Sequence, residues 1–210
     1  MVMQEKYKKT YKQMWETKCA RFNAHARLHK LATRASTAVI VLTFTVVALS
    51  AFKAGAFFDL PDKTQRAGDL ALVLCSIALL IIELYVKGQR YDDLAKEFHK
   101  SGTEIARIYD LFVFEASQAT PNDAAIKDII TQYHDKIDSR NINHTYVDDQ
   151  LVKAQHPKDF GIRWWLTPAY RGYIELKLFI VSGGIYSLIA WLSLLGTIAT
   201  ILFFGAGSTI

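Results

Sequence analysis

Polar side chains interrupt three long apolar runs of this sequence, and their type and spacing suggest chemistry. In the run from Ala35 to Phe52, the hydroxyls of Ser36, Thr43 and Ser50 recur every seven residues. That spacing places them on one face of a helix. Small hydroxyls in a membrane helix mark either close packing against another helix or the wall of a water-filled path. These three residues are therefore candidate pore-lining residues, with helix packing as the alternative.

Glu83 is a carboxylate inside the second apolar run, Leu70 to Val86. A charged side chain within a membrane segment is costly and is a functional candidate by default. Glu83 lies about one turn from the end of the run, however, and Lys87 and Arg90 follow at spacings that allow ion pairing along a helix. Two roles stay open: lining a cation route at the cytoplasmic mouth of a pore, and anchoring the helix by an ion pair.

The third apolar run, Leu178 to Phe204, repeats the pattern. Ser193 and Thr200 lie on one helical stripe and complete the set of candidate pore-lining residues. Gly183 and Gly184 lie nearby and allow close approach of another backbone. Two hydroxyl-bearing helical faces in one chain imply either intimate helix packing or a wet path.

Enzyme and metal signatures are missing from the sequence, which has no phosphate-binding glycine loop, zincin helix, nucleophile elbow or paired-cysteine site. His25 and His29 have the i,i+4 spacing of a chelating pair, but no carboxylate lies close in sequence to complete a ligand set. His144 with Asp148 fits either a base with its orienting carboxylate or a polar network that fixes a turn. We predict no catalytic residue, no cofactor and no metal.

Charge sets the orientation of the apolar runs in a membrane. Of the 25 lysines and arginines, nine lie in residues 1–35, three in residues 53–69 and thirteen in residues 87–177. Cytoplasmic segments carry the excess of positive charge, so the N-terminus and residues 87–177 are predicted to be cytoplasmic and the C-terminus outside. The net charge of +5 is explained by this bias and requires no nucleic-acid partner.

The predicted fold is an all-α membrane protein with a transmembrane helical hairpin, a third C-terminal span and a bundle of long amphipathic cytosolic helices. A first domain, residues 1–150, contains spans at about 36–57 and 70–86 and cytosolic helices at 4–34 and 88–140. A second domain, residues 151–210, contains an interfacial segment with Trp164 and Trp165 beside an arginine and the span at 178–204.

One helical pattern continues from Leu70 to Phe114 and changes at Tyr91 from a membrane helix to an amphipathic soluble one. Its later apolar positions step by three and four residues, as in a heptad repeat. They are the candidate assembly residues Tyr91, Leu94, Phe98, Ile105, Ile108 and Phe112. Gly88 and Gly102 disfavour a helix and are the predicted bending points, with Gly88 as the candidate hinge through which a cytosolic event reaches the bilayer.

Residues 4–34 form a basic amphipathic helix in this interpretation. One face is predicted to carry Trp15, Cys19, Phe22, Ala26 and His29, with most lysines and arginines, including Arg21 and Arg27, on the other faces. Such a helix lies on anionic lipid or packs antiparallel against the Tyr91–Phe112 heptads. The small residues in its apolar stripe favour packing.

Several segments together resemble a known family. They are the basic helix with Arg21–Phe22–Asn23–Ala24–His25–Ala26–Arg27, the short outer turn, the continuation through Glu83 into Arg90–Tyr91–Asp92–Asp93–Leu94–Ala95, and Asn143–His144 followed by Asp148. Over about residues 5–150 the chain resembles SLATT, the SMODS and SLOG-associating two-transmembrane effectors of prokaryotic conflict systems. The resemblance implies a pore-forming effector that permeabilises the bacterial inner membrane when a sensor detects phage. It also implies a sensor partner such as a reverse transcriptase or a nucleotide-signal enzyme.

We therefore predict a non-enzymatic, homo-oligomeric pore or channel of an antiphage defence system that arrests growth when activated. One copy has too few spans to enclose a pore, so the predicted partners are the lipid bilayer and further copies of the chain. The alternative is a non-conducting, membrane-anchored scaffold whose cytosolic helices recruit a partner. Measuring ion flux through the purified protein in liposomes separates the two.

Overall fold

The computed structural model describes residues 4–54, 62–139, 142–163 and 165–207. All regular secondary structure in these ranges is helical, which confirms the predicted all-α class. The helices are α1 (Glu5–Ala54), α2 (Asp62–Gln89), α3 (Tyr91–Ala116), α4 (Asp123–Asp138), α5 (Tyr146–Gln155), a 3₁₀ turn (Pro157–Phe160), α6 (Thr167–Val181) and α7 (Gly184–Gly207). The short outer turn between the first two spans is predicted at residues 57–62, of which 57–61 lie outside the described residues.

The chain divides into two compact units that do not follow the predicted boundary at residue 150. The first unit comprises Met1–His29 and Asp92–Phe179, and the second comprises Lys30–Tyr91 and Ile180–Ile210. Helix α1 thus contributes its first half to one unit and its second half to the other. Residue 150 falls inside α5, within the first unit.

The core of the first unit is apolar and is built by α1, α3 and α4. Its buried members are Tyr7, Met14, Ile105, Ile108, Phe112, Ala116, Ile126, Ile129 and Tyr133. Tyr7 and Phe112 meet edge to face with ring centroids 6.2 Å apart, a favoured aromatic geometry. The first half of α1 therefore packs against the heptads of α3. This is the helix-packing alternative of the Sequence analysis, which the small residues of α1 favoured over a helix lying on lipid.

The buried face of α1 differs from the predicted one. Ala26 and His29 are exposed, whereas Ala20 and Ala24 are buried. Arg21 and Arg27, which we expected on solvent faces, are both buried. Helical periodicity predicts that arginine is exposed, because a pattern within one helix contains no information about a partner more than a hundred residues away.

Helix α3 carries most of the predicted heptad face inward. Phe98, Ile105, Ile108 and Phe112 are buried, while Tyr91 and Leu94 are partly buried. Because this face is largely covered within one chain, a role for it in assembly between copies stays a prediction. Its immediate role is to hold the first unit together.

The predicted bends of the α2–α3 run are displaced. Helix α3 continues through Gly102, where an added Cβ would lie 3.2 Å from the Phe22 ring, so glycine here permits close packing. The helix breaks instead at Arg90, which adopts a left-handed φ of +50°. Left-handed backbone is uncommon in residues other than glycine.

Helix α4 begins two residues later than its sequence suggests. The sequence Thr120–Pro121 predicts Thr120 as the N-cap and proline at the first helical position. In the structure the side chain of Asn122 accepts hydrogen bonds from the backbone N–H groups of Ala124 (3.1 Å) and Ala125 (3.3 Å). An asparagine amide oxygen satisfies these otherwise unpaired donors as well as a threonine hydroxyl does. Pro121 precedes the cap and lies outside the helix.

The described residues contain two helices that are long and apolar enough to cross a membrane, one within α1 and one beginning at Leu72 in α2. Helices α6 and α7 are apolar enough to cross a membrane when they are taken together, but they are bent by 67° between Val181 and Gly184. They count as a third crossing if this bent pair is one broken span. The predicted span from Leu178 to Phe204 is therefore divided, and its continuous part is α7.

Replacing Phe98 with aspartate tests the core of the first unit. The Phe98 side chain is 5% exposed. The variant therefore loses a large apolar contact, and its new carboxylate is buried where the parent protein has no partner for it. We expect a loss of about 3–5 kcal/mol in the free energy of unfolding. The measurement is denaturant unfolding of the detergent-solubilised protein, followed by the fluorescence of its tryptophans.

Phe114→Asp on the same helix is the matched control, because Phe114 is 62% exposed and the charge change is identical. It should leave the unfolding midpoint nearly unchanged. Equal midpoints for Phe98→Asp and Phe114→Asp would show that the α3 face does not stabilise the unit.

Candidate functional site

The hydroxyl face of the first span is exposed. Ser36, Thr43 and Ser50 all lie on the uncovered side of α1. Thr43 Oγ1 donates to the carbonyl of Val39 at 2.8 Å, and Ser50 Oγ donates to the carbonyl of Val46 at 2.7 Å. Their donors are thus satisfied inside the helix, while the hydroxyl oxygens keep accepting capacity. The face could line water or pack against another helix.

Helix α2 has a similar polar stripe, which the sequence reasoning did not identify. Ser76 and Glu83 are seven residues apart and therefore share one face, as the hydroxyls of α1 do. Ser76 is exposed and donates to the Leu72 carbonyl at 2.8 Å. The sequence contains the signal for this stripe, because Ser76 and Glu83 are the residues that interrupt the apolar run from Leu70 to Val86. Both spans of the hairpin therefore carry polar residues at heptad spacing.

Glu83 has an ion-pair partner on its own helix. Its Oε1 accepts from Lys87 Nζ at 2.7 Å, and both side chains are partly exposed. This is the i,i+4 pair that the sequence allowed. The pair neutralises the carboxylate in a single chain, and a role in conduction stays a prediction.

The hydroxyls of α7 are arranged differently. Ser193 Oγ donates to Thr45 Oγ1 on α1 at 3.1 Å, and Thr45 and Thr197 are buried. Ser193 is therefore at a contact between two helices of the second unit, the geometry expected of small polar residues that hold membrane helices together. The side chain of Thr200 lies outside the described residues.

The break between α6 and α7 is built around Ser182 and Gly183. Arg34 Nη1 donates to the carbonyl of Ser182 at 3.1 Å and to its hydroxyl at 2.6 Å. Gly183 adopts a left-handed φ of +81°, and an added Cβ would lie 2.6 Å from Leu31 Cδ1. The left-handed backbone conformation favours glycine at this position, and an added Cβ would also force the Leu31 side chain to move.

The candidate hinge, Gly88, lies inside α2 with its surroundings open. It is exposed, and an added Cβ would meet nothing within 4 Å. The backbone break lies two residues further on, at Arg90, whose N–H donates to the Lys87 carbonyl at 3.3 Å. Whether Gly88 moves during activity stays a prediction.

In the first unit, a buried ion pair joins two of the segments that carry the family resemblance. Arg27 Nε donates to Asp148 Oδ1 at 2.9 Å, and Arg27 Nη2 donates to Asp148 Oδ2 at 3.0 Å. The two side chains are 8% and 0% exposed. Asp148 Oδ2 also accepts from the backbone N–H (2.9 Å) and hydroxyl (2.8 Å) of Thr145, which caps α5. The carboxylate therefore accepts four hydrogen bonds.

Arg21 is the second buried arginine. Its Nη1 donates to the carbonyl of Ile142, and its guanidinium lies 5.5 Å from the centroid of the Phe98 ring. A guanidinium at that distance is attracted to the ring face. Arg21 and Arg27 thus hold both the loop before α5 and the start of α5.

The partners of His144 and His25 differ from those named in the base and metal hypotheses. His144 Nε2 lies 2.9 Å from Asp149 Oδ1, while Asp148, the expected partner of His144, is bonded to Arg27. His25 Nδ1 lies 2.9 Å from the carbonyl of Ala95. Within the described parts of the chain, no three His, Cys, Asp or Glu side chains group so as to hold a metal ion. The polar network around Asp148 fixes a helix start, as one of the two interpretations proposed.

Comparison with protein families shows which family the chain matches. A model described as the SMODS and SLOG-associating 2TM effector domain family 5 matches residues 3–202. The match extends well beyond residue 150, where our sequence resemblance ended, and therefore includes α6 and most of α7. Comparison with curated proteins and with solved structures gave no match.

Asp148→Asn tests the buried ion pair. It leaves the Arg27 guanidinium buried without a counter-charge, and breaking a buried pair in this way costs about 3–5 kcal/mol. Asp149→Asn is the matched control, since Asp149 is the adjacent residue, is 41% exposed and pairs only with His144 among the described contacts. Its expected cost is at most about 1 kcal/mol.

The measurement is again denaturant unfolding in detergent. A third variant, Arg27→Met with Asp148→Leu, removes both charges together and should recover much of the stability lost by Asp148→Asn. If Asp148→Asn and Asp149→Asn have the same unfolding midpoint, the ion pair does not stabilise the first unit.

Proposed function

We propose, since this chain belongs to the SMODS and SLOG-associating 2TM effector domain family, that it acts by forming a pore in the bacterial inner membrane. The family is one of membrane effectors associated with defence systems. In our proposal an activated assembly permeabilises the membrane and arrests the growth of the infected cell. The N-terminus and residues 87–177 are cytoplasmic and the C-terminus is outside.

The observation that carries this proposal is the pair of polar stripes on the hairpin. A single chain leaves Ser36, Thr43 and Ser50 of α1 and Ser76 of α2 exposed, and Glu83 of α2 is partly exposed. No described side chain of α2 is buried. Helices in lipid associate through packing and polar contacts, so exposed polar stripes favour contact with further copies. Several copies are needed because two or three spans cannot surround a water-filled path.

A scaffold without conduction is the second candidate function. The Thr43, Ser50 and Ser76 hydroxyls donate to their own helices, and Glu83 is paired with Lys87. These groups are therefore tolerated in lipid without any water path.

In either function a sensor protein, such as a reverse transcriptase or a nucleotide-signal enzyme, is the proposed activating partner, with no direct contact to nucleic acid.

Thr43→Cys tests the first polar stripe. In liposomes that conduct ions, a water-soluble thiol reagent should react with a pore-facing cysteine and block most of the current. Cys75 is exposed and is first replaced by alanine. Cys19 contributes little background, because burial raises the pKa of its thiol and the thiolate is the reactive form.

Phe44→Cys is the matched control for Thr43→Cys. Phe44 is also exposed, but it lies about 100° around the helix from Thr43 and outside the polar stripe. Its cysteine should face lipid and stay unreactive. Measured conduction with an inert Thr43→Cys, or equal block of both variants, contradicts the assignment of this face to the pore.

Glu83→Gln tests the second stripe. A carboxylate about 4 Å from a permeant cation contributes on the order of 1–4 kcal/mol, depending on hydration, so its loss should lower the cation-to-anion permeability ratio several-fold. The reversal potential under a salt gradient measures that ratio.

Glu175→Gln gives the control for Glu83→Gln. Glu175 is an exposed carboxylate on α6 with an i,i+4 partner, Arg171, at 2.8 Å, so the variant makes the same charge change in a similar ion pair. It should leave the reversal potential unchanged. An unchanged potential in Glu83→Gln would assign Glu83 to helix anchoring instead.

A further inference from the structure

Helix α6 presents an uncovered apolar stripe. Tyr173, Leu176 and Ile180 are 57%, 61% and 59% exposed, and their spacing of three and four residues places them on one face. Trp165 and Leu166, just before the helix, are exposed as well. In the described part of α6, only Ile174 is fully buried. The helix therefore packs through a narrow edge and leaves its most apolar face open.

The charged residues of α6 lie away from this stripe. Arg171 and Glu175 are paired at 2.8 Å and lie about 160° from Tyr173 around the helix axis. Lys177 is at the edge of the stripe, where it donates to Gln150 at 3.1 Å and lies 6.0 Å from the Tyr173 ring centroid. An apolar face opposite a charged face, with aromatic and lysine residues at the boundary, is the composition of a helix that lies in the membrane interface.

An apolar groove adjoins the first turn of the helix. It has a volume of about 460 Å³ and is lined by Phe160, Ile162, Leu166, Ala169, Tyr170 and Lys153. A lysine among the lining residues suits the phosphate of a lipid whose acyl chain contacts the aromatic and aliphatic walls of the groove. The open stripe and the groove thus offer one apolar surface to the same kind of partner.

We propose that this surface of α6 binds the lipid of the cytoplasmic leaflet, so that α6 lies in the membrane interface and is not part of a span. Two observations favour lipid over another protein as the occupant. The chain continues from Ile180 into α7, whose exposed side chains Ile185, Leu188 and Leu192 are those of a lipid-facing helix. Trp165 and Tyr173 are the residue types that anchor segments at headgroup depth.

An α6 helix in the interface differs from an α6 helix that forms the first part of a third span, and the bend at Gly183 favours the interface. Because α6 and α7 are bent by 67°, α6 does not extend the axis of α7. A helix in the interface keeps all residues of its apolar face at one depth, about 5–10 Å into the headgroup and acyl boundary. A spanning helix would instead place Ile180 about 10 Å deeper than Tyr173, since seven residues rise by that distance.

The test measures those depths in the full-length protein in lipid nanodiscs. Spin labels are placed on Tyr173→Cys and Ile180→Cys, in a background with Cys19 and Cys75 replaced by alanine. Collision with oxygen, which partitions into lipid, is compared with collision with a water-soluble nickel chelate. Leu176→Cys repeats the measurement on the same face, and Lys127→Cys on the exposed side of α4 is the aqueous control.

We expect the labels at 173, 176 and 180 to favour oxygen and to lie within about 3 Å of one depth, while the label at 127 favours the nickel chelate. A depth that increases by about 10 Å from 173 to 180 would overturn the proposal in favour of a spanning helix. Labels as accessible to nickel as the label at 127 would place the stripe in water. Labels shielded from both reagents would show that another protein surface covers it. The proposal does not depend on pore formation, because the depths are measured without ion flux.

Discussion

Taking a guanidinium and a carboxylate out of water together costs several kcal/mol for each ion, and the first unit contains such a pair at Arg27 and Asp148. The cost is offset only when the geometry is good and the remaining lone pairs are satisfied. Both conditions are met, since the arginine contacts are bidentate and Thr145 supplies two further donors. Any shift of α1 relative to α5 would leave a charge buried and unpaired. The pair therefore fixes the register of these two helices.

The same requirement for satisfied polar groups governs the membrane helices, with a different outcome. The hydroxyls of Thr43, Ser50 and Ser76 donate to carbonyls four residues earlier, and Glu83 pairs with Lys87 four residues later. These three hydroxyl donors are thus satisfied within their own helices, so they do not require another copy of the chain as a partner in lipid. The accepting oxygens remain exposed on the helix surface. A polar stripe of this kind is compatible both with a lipid-inserted single chain and with the wall of a water-filled path.

The sequence by itself determined the helical class, the family and the presence of two helices that are long and apolar enough to cross a membrane. Hydrophobic periodicity and the length of apolar runs are local properties of the chain, so they predict elements well. The heptad spacing of Ser36, Thr43 and Ser50 placed these residues on one face, because helix geometry alone relates them, and in the structure that face is exposed. The buried residues Phe98, Ile105, Ile108 and Phe112 of α3 follow for the same reason.

Tertiary structure alone decided which polar residues are buried and with whom they pair. Arg21 and Arg27 look like solvent residues in a helical projection, and their partners Ile142 and Asp148 are 121 residues away along the chain. The bend at Gly183 depends likewise on Arg34 and Leu31, which lie near the other end of the sequence. The family resemblance marked the segments around Arg27 and Asp148 without relating them to each other. Periodicity relates residues within one helix only. The free-energy cost of burying a charge depends on its partner, and that partner is distant in sequence and is brought near only by the tertiary structure.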